Sequence, residues 1–134
     1  MSQENLDRAR EGYRAFVSGN MDAALEFMDT EIECHDFADL PDTAVYRGPE
    51  GFLALSANVL ETFDEFTIEV KELIDLDDWI LAVVHTVGKG KASGAEVEAD
   101  LIHLWRIRDG KAVELWLFGD RDQALAQARE RRTA

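Results

Sequence analysis

The fold of this chain is decided by the stretch at residues 95–118, which reads AEVEADLIHLWRIRDGKAVELWLF. Apolar and polar side chains alternate before and after Asp109-Gly110, with the spacing of two that is typical of strands. An Asp-Gly pair favours a two-residue hairpin turn, because both turn positions need a positive φ. The stretch therefore predicts two antiparallel strands, over residues 95–108 and 111–119.

Two more strands are predicted before this hairpin. Apolar and polar residues alternate over residues 66–70, and the phase then slips at Leu73-Ile74, where we expect a bulge. Asp77-Asp78 marks a turn, and residues 79–87 form a long apolar run rich in strand-forming side chains. The second half of the chain is therefore predicted to contain four antiparallel strands.

Helices are predicted on both sides of these strands. Apolar residues recur at intervals of three and four in residues 3–18 and again in residues 21–28, and Gly19-Asn20 separates the two helices. A third helix begins at Gly48-Pro49-Glu50, since proline is favoured in the first turn and an acidic residue complements the helix dipole there. A fourth helix follows Asp120, which can cap it.

One short strand is predicted between the second and third helices. Residues 31–37 favour a short edge strand, and residues 38–46 favour an irregular loop. The element order is typical of an α+β fold in which a layer of helices covers a curved sheet. The length fits one domain, so we expect residues 1–134 to form a single domain.

The composition excludes several classes of function. With 14 Lys and Arg against 28 Asp and Glu, the net charge is −14, which disfavours binding to nucleic acid or to an anionic membrane. The sequence contains no secretory signal pattern and no run of about 20 apolar residues, so we expect a cytoplasmic protein without a membrane span. The single Cys34 suits a reducing compartment. No metal site is expected, because His35, His85 and His103 lie on separate segments.

Three local phrases, in this order, resemble the NTF2-like superfamily and in particular its SnoaL-like polyketide cyclase and ketosteroid isomerase branches. They are YRAFVSGNMD at residues 13–22, YRGPEG at residues 46–51, and HLWRIRDGK at residues 103–111 leading to DRDQAL at residues 120–125. The resemblance implies an NTF2-like cone: a curved, mostly antiparallel sheet wrapped around three N-terminal helices, with a C-terminal helix. It also implies a deep apolar pocket, chemistry without a cofactor, and a homodimer.

Candidate catalytic residues follow from strand alternation and from this resemblance. Alternation directs His103 into the cone, where a neutral imidazole can donate a hydrogen bond to a developing oxyanion. In the resembling isomerases a protonated aspartate serves as donor at that position. The resemblance places the proton-shuttling base at His35 or at Asp36, of which only one can face the pocket because neighbouring strand residues point to opposite faces. Asp120 matches an acid/base aspartate of the cyclases and is also a good helix cap.

The pocket wall is predicted to be apolar and aromatic. Tyr13 lies one residue away from the first-helix tyrosine of the isomerases, and its alternative role is core packing. The expected substrate-binding residues are Tyr13, Tyr46, Phe52, Trp105, Leu115 and Leu117. The expected ligand is a small hydrophobic molecule.

The opposite face of the sheet is also predicted to be apolar. Alternation directs Ile102, Leu104, Trp116 and Phe118 outward, where they would expose an apolar patch in a monomer. We therefore expect a homodimer through this outer face.

Three functions remain open from the sequence. The first is cofactor-free acid/base proton transfer, of isomerase or cyclase (lyase) type, on a small hydrophobic carbonyl compound. The second is a non-catalytic, small-molecule-binding dimer, and the third is a purely structural dimer or adaptor. Fold resemblance does not choose between them, so the choice depends on the polar groups of the pocket.

Overall fold

The computed structural model describes residues 2–36 and 45–132, so most of the predicted loop over residues 38–46 lies outside the described residues. The helices are α1 Ser2–Ser18, α2 Met21–Glu26, α3 Gly48–Thr62 and α4 Arg121–Arg132. The strands are β1 Met28–His35, β2 Val45–Arg47, β3 Phe63–Leu76, β4 Trp79–Gly90, β5 Glu96–Arg108 and β6 Lys111–Phe118. The predicted order of helices and strands is confirmed, with β2 as an addition. None of the helices in the described ranges is long and apolar enough to cross a membrane.

The six strands form one curved, unclosed sheet in the order β2-β1-β6-β5-β4-β3. All neighbouring strands are antiparallel except β1 and β6, which are parallel. The prediction that β1 is an edge strand is wrong, because the short β2 pairs with its outer side at His35 and Val45. The mixed α+β architecture predicted from the sequence is confirmed.

The predicted hairpin turn in the second half of the chain is confirmed. Asp109 and Gly110 have φ values of 52° and 75°, as a two-residue hairpin turn requires. The predicted bulge exists, but it lies near Lys71, where the register shifts between Val70 and Glu72. The apolar phase slip at Leu73-Ile74 is a consequence of that insertion, because one extra residue moves all later side chains to the opposite face.

The sheet has an apolar cluster on each face. The inner cluster joins α1 and α3 to β1, β4, β5 and β6, and the outer cluster joins α4 to β4, β5 and β6. Strand β4 contributes to both, with Ile80 and Ala82 on the inner face and Trp79 and Leu81 on the outer face. This double burial explains why residues 79–87 read as a continuous apolar run rather than as an alternating one.

The expectation of an exposed apolar outer face is wrong. The exposed fractions of Ile102, Leu104 and Phe118 are 5%, 0% and 4%, and Trp116 is half-buried. Helix α4 covers this face with Ala124 and Ala128, which are both buried. Alanine side chains let a helix approach a sheet closely, so a helix that is polar in composition still buries the patch. The apolar surface from which a dimer was inferred is therefore already used within the chain.

Candidate functional site

A cavity of about 120 Å³ lies between helices α1 and α3 and the inner face of the sheet. Most of its described wall is apolar and aromatic, including Phe16, Phe27 and Leu101. The exceptions are four side chains with a hydroxyl or an imidazole, namely Tyr13, Ser56, Thr86 and His103. The site is thus an apolar chamber with a few fixed polar groups, which is typical of small-molecule sites.

A chain of hydrogen bonds forms one wall of the cavity. The indole Nε1 of Trp105 donates to the hydroxyl of Tyr13 at 2.8 Å, and that hydroxyl lies 2.7 Å from Nδ1 of His103. The rings of Tyr13 and His103 are stacked, with centroids 5.8 Å apart and planes 16° apart. The rings of Trp105 and Tyr13 are nearly perpendicular, with centroids 6.0 Å apart. These contacts connect α1 to β5 and fix all three rings.

The hydrogen-bond chain favours one tautomer of His103. An indole nitrogen can only donate, so the Tyr13 oxygen accepts from Trp105 and its own hydrogen is free to donate. Donation to Nδ1 of His103 uses that hydrogen and places the imidazole proton on Nε2. Within the described part of the chain, Nε2 makes no hydrogen bond. His103 is thereby a neutral imidazole with an available N–H donor at the cavity wall.

Burial keeps the groups of this wall uncharged. Desolvation lowers the pKa of His103 from 6.5 to about 4. Desolvation also raises the pKa of Tyr13 above its usual range, and the hydrogen bond from Trp105 offsets this only in part. At neutral pH both residues are neutral, so they act as hydrogen-bonding groups rather than as ions.

Two further polar residues line the cavity that the sequence analysis did not single out. The Thr86 hydroxyl donates to the backbone oxygen of Ala99 at 2.9 Å and is therefore satisfied. Ser56, on α3, is only 9% exposed, and no hydrogen bond to its hydroxyl is found among the described residues. The signal was present in the sequence, because Ser56 lies four residues after Phe52 on the apolar stripe of α3.

Five of the six predicted wall residues line the cavity, namely Tyr13, Phe52, Trp105, Leu115 and Leu117. Tyr46 is not among the described lining residues. It packs at the periphery of the inner cluster, and its hydroxyl accepts a hydrogen bond from Asn58 at 3.2 Å. The reason is its place on β2, which lies outside β1 at the edge of the sheet.

The structure places His35 on the outer face of the sheet. Its strand partner is Trp116, and the two rings are stacked with centroids 3.6 Å apart and planes 5° apart. Strand alternation then directs the preceding residue, Cys34, into the inner cluster, where it is fully buried. Asp36 follows the last residue of β1 and is also absent from the described cavity wall. Neither candidate base is brought next to His103.

Asp120 is exposed and lies just before α4 rather than in the cavity. Its carboxylate accepts a hydrogen bond from the backbone N–H of Asp122 at 3.1 Å, and its carbonyl accepts one from Ala124 at 3.3 Å. These are the contacts of a residue that begins a helix. The geometry assigns Asp120 a structural role and separates it from His103.

The arrangement can bind and polarise an oxygen atom of an apolar molecule. His103 supplies a neutral donor in mostly apolar surroundings, where a hydrogen bond is stronger than in water. No carboxylate is found among the described lining residues. The described residues likewise hold no cluster of three or more His, Cys, Asp or Glu side chains suited to a metal ion.

Comparison with known proteins agrees with this fold. Residues 9–115 match the model of the SnoaL-like domain family. Among solved structures, an NTF2-like protein from Burkholderia thailandensis has 24% identity and a TM-score of 0.78, covering 93% of this chain and 96% of its own. A proposed SnoaL-like polyketide cyclase from Jannaschia has 17% identity and a TM-score of 0.77, with 93% and 91% coverage.

A third similar structure is IdmH, a proposed polyketide cyclase from Streptomyces antibioticus. It has 24% identity and a TM-score of 0.72, with 92% of this chain and 96% of IdmH covered. No protein with a curated description matches this chain. The family match spans most of the sequence, and the structural likeness extends over nearly the whole fold. The chain belongs to the SnoaL-like domain family.

Proposed function

We propose that the cavity binds a small, mostly apolar carbonyl compound whose oxygen accepts a hydrogen bond from Nε2 of His103. The observation that carries this proposal is the hydrogen-bond chain from Trp105 through Tyr13 to His103. It holds the imidazole in one orientation and favours the tautomer with the proton on Nε2, so the donor is organised before a ligand arrives. A mostly apolar wall around the neutral imidazole donor suits a hydrophobic molecule with a polar oxygen.

A second candidate is proton transfer of the isomerase or cyclase type on the same ligand. The donor that binds a carbonyl oxygen binds the oxygen of the corresponding enolate more strongly, because negative charge develops there. A pKa of about 4 makes His103 a poor base near neutral pH, which favours the donor role over proton abstraction. Binding with polarisation is therefore the first candidate, and turnover is the second.

The test is a titration of the protein with cyclohexanone, followed by NMR. His103→Leu removes the donor and should weaken binding by about tenfold, the effect of losing one hydrogen bond in a dry site. His103→Gln restores an N–H donor and should recover part of the affinity. The matched control is His85→Gln, since His85 lies on β4 outside the cavity wall and should leave binding unchanged.

Equal affinity of the wild type and His103→Leu would contradict the proposal. Turnover is measured separately, by exchange of the ketone α-hydrogens in D₂O. Exchange faster with the wild type than with His103→Leu supports the second candidate, and equal exchange leaves binding as the function.

A further inference from the structure

We infer that the ligand of this cavity is uncharged, contains a single six-membered ring, and places a second polar atom against Ser56. This inference rests on the proposed function and narrows its ligand class. Three observations carry it: the cavity volume, the absence of formal charge on the described wall, and the buried hydroxyl of Ser56.

The volume limits the size of the ligand. The cavity holds about 120 Å³, whereas sites for drug-sized molecules usually measure about 300–1,000 Å³. A protein cavity of about 150 Å³ is known to accept benzene, so one ring is the size that fits here. Ligands with several fused rings would have to displace wall residues or leave rings outside the cavity.

The residues of the cavity wall cannot easily move apart to admit a larger ligand. Tyr13 and Trp105 are 9% and 5% exposed and are held to each other by a hydrogen bond. Behind the cavity wall, β5 is packed on its other face by the outer cluster, where Leu104 is fully buried. Close-packed interiors resist expansion, so fused-ring ligands should bind much more weakly than one-ring ligands.

The charge of the ligand is limited by the same wall. Among the described lining residues none is Asp, Glu, Lys or Arg, and His103 is neutral at pH 7. An ionised carboxylate in this cavity would lose hydration without gaining an ion pair from the described wall. Uncharged ketones should therefore be preferred over carboxylates of the same shape.

Ser56 supplies the second polar contact. Its hydroxyl is on α3, whereas the donor of His103 is on β5, so the two groups approach a ligand from different walls. Among the described residues the Ser56 hydroxyl has no hydrogen-bond partner, so it is available to bond a polar ligand atom in the cavity. A ring with a carbonyl for His103 and a hydroxyl for Ser56 satisfies both groups.

The experiment is a series of NMR titrations on the full chain. Cyclohexanone, 1-decalone and progesterone test one, two and four rings, and acetophenone against benzoate tests charge. We expect cyclohexanone to bind at least about tenfold more tightly than 1-decalone, and acetophenone at least about tenfold more tightly than benzoate. Tighter binding of a fused-ring ketone or of benzoate would overturn the inference while leaving the donor role of His103 intact.

The Ser56 contact is tested with the 2-, 3- and 4-hydroxycyclohexanone isomers. We expect at least one isomer to bind about 2- to 10-fold more tightly than cyclohexanone, and Ser56→Ala to abolish that difference. Ser18→Ala is the matched control, because Ser18 is exposed at the end of α1. A difference that survives Ser56→Ala, or no tighter isomer, would overturn this contact. If none of the ketones bound, both this inference and the proposed function would be contradicted.

Discussion

The Tyr13 hydroxyl lies 2.7 Å from Nδ1 of His103 and thereby joins helix α1 to strand β5 across 90 positions of the sequence. The same hydroxyl accepts a hydrogen bond from Trp105. One buried phenol thus orients the imidazole and holds a helix against the sheet. The stability of the fold and the proposed ligand binding both depend on this residue.

Tyr13→Phe should therefore affect both properties. The variant leaves Nε1 of Trp105 and Nδ1 of His103 without their shared partner, and each unsatisfied buried group costs about 1–3 kcal/mol. We expect the free energy of unfolding to fall by about 2 kcal/mol, measured by urea denaturation. We also expect weaker cyclohexanone binding, because the imidazole is no longer held in one tautomer. Unchanged stability together with unchanged binding would show that the hydrogen-bond chain is not important.

The burial of His103 predicts a specific pH dependence of stability. Its pKa is about 4 in the folded protein and 6.5 as a free group, so the unfolded chain binds a proton more readily than the folded one. Stability is therefore highest above pH 6.5 and falls as the pH drops toward 4, by about 3 kcal/mol in total. Urea denaturation at several pH values should show this slope in the wild type.

The matched comparison for this slope is His103→Gln, which has no group titrating at that position. The difference between the two pH profiles isolates His103 from other titrating groups. His85 acts in the opposite direction, because its contacts with Asp100 and Glu98 raise its pKa. Its stabilisation is present below pH 6.5 and is lost as the pH rises through its folded pKa. Parallel profiles would contradict the account of His103.

Cys34 provides a probe of the inner cluster. It is the single cysteine of the chain, its side chain is fully buried, and burial raises its thiol pKa to about 12. At pH 8 the native protein should react very slowly with a maleimide, because the thiolate is the nucleophile. Urea above the unfolding midpoint should give one label per chain at a high rate. Rapid labelling of the native protein, seen by mass spectrometry, would show that β1 is not packed as described.

Helix α4 is predicted to be necessary for covering the outer face of the sheet. Ala128→Glu puts a charge against the outer cluster and should lower the free energy of unfolding by about 3 kcal/mol or more, with increased binding of a hydrophobic dye. Ala126→Glu is the matched control, since Ala126 is exposed on the same helix. Similar effects of the two substitutions would mean that α4 does not pack on the sheet through Ala128.

The features that were predictable from the sequence depend on local chemistry. The Asp109-Gly110 turn needs positive φ values that this pair adopts readily, and strand alternation alone directs His103 to the inner face. Ser56 was also visible, as a polar residue on an apolar helix stripe, although it was not recognised as part of the wall. Local periodicity therefore predicts much of the fold and part of the cavity wall.

The features that could not be predicted depend on contacts between residues that are far apart in the sequence. Strand β2 has three residues and exists because β1 pairs with it, so its own sequence contains little signal. The cover over Leu104 comes from alanines of α4, which hydrophobicity alone does not mark as an interface. The family resemblance placed His35 at the pocket. In the structure Ile32 and Cys34 are buried, so the even-numbered residues of β1 face inward and His35 faces outward.

The most direct test of the account is the protonation state of His103 at pH 7, read by NMR from protein labelled with ¹⁵N-histidine. The assignment of signals uses His103→Gln, which removes one imidazole. The account predicts a neutral ring with the proton on Nε2, and a change in the Nε2 signal when cyclohexanone is added. A ring with the proton on Nδ1, a charged imidazolium, or an Nε2 signal that does not respond to saturating ketone would contradict it.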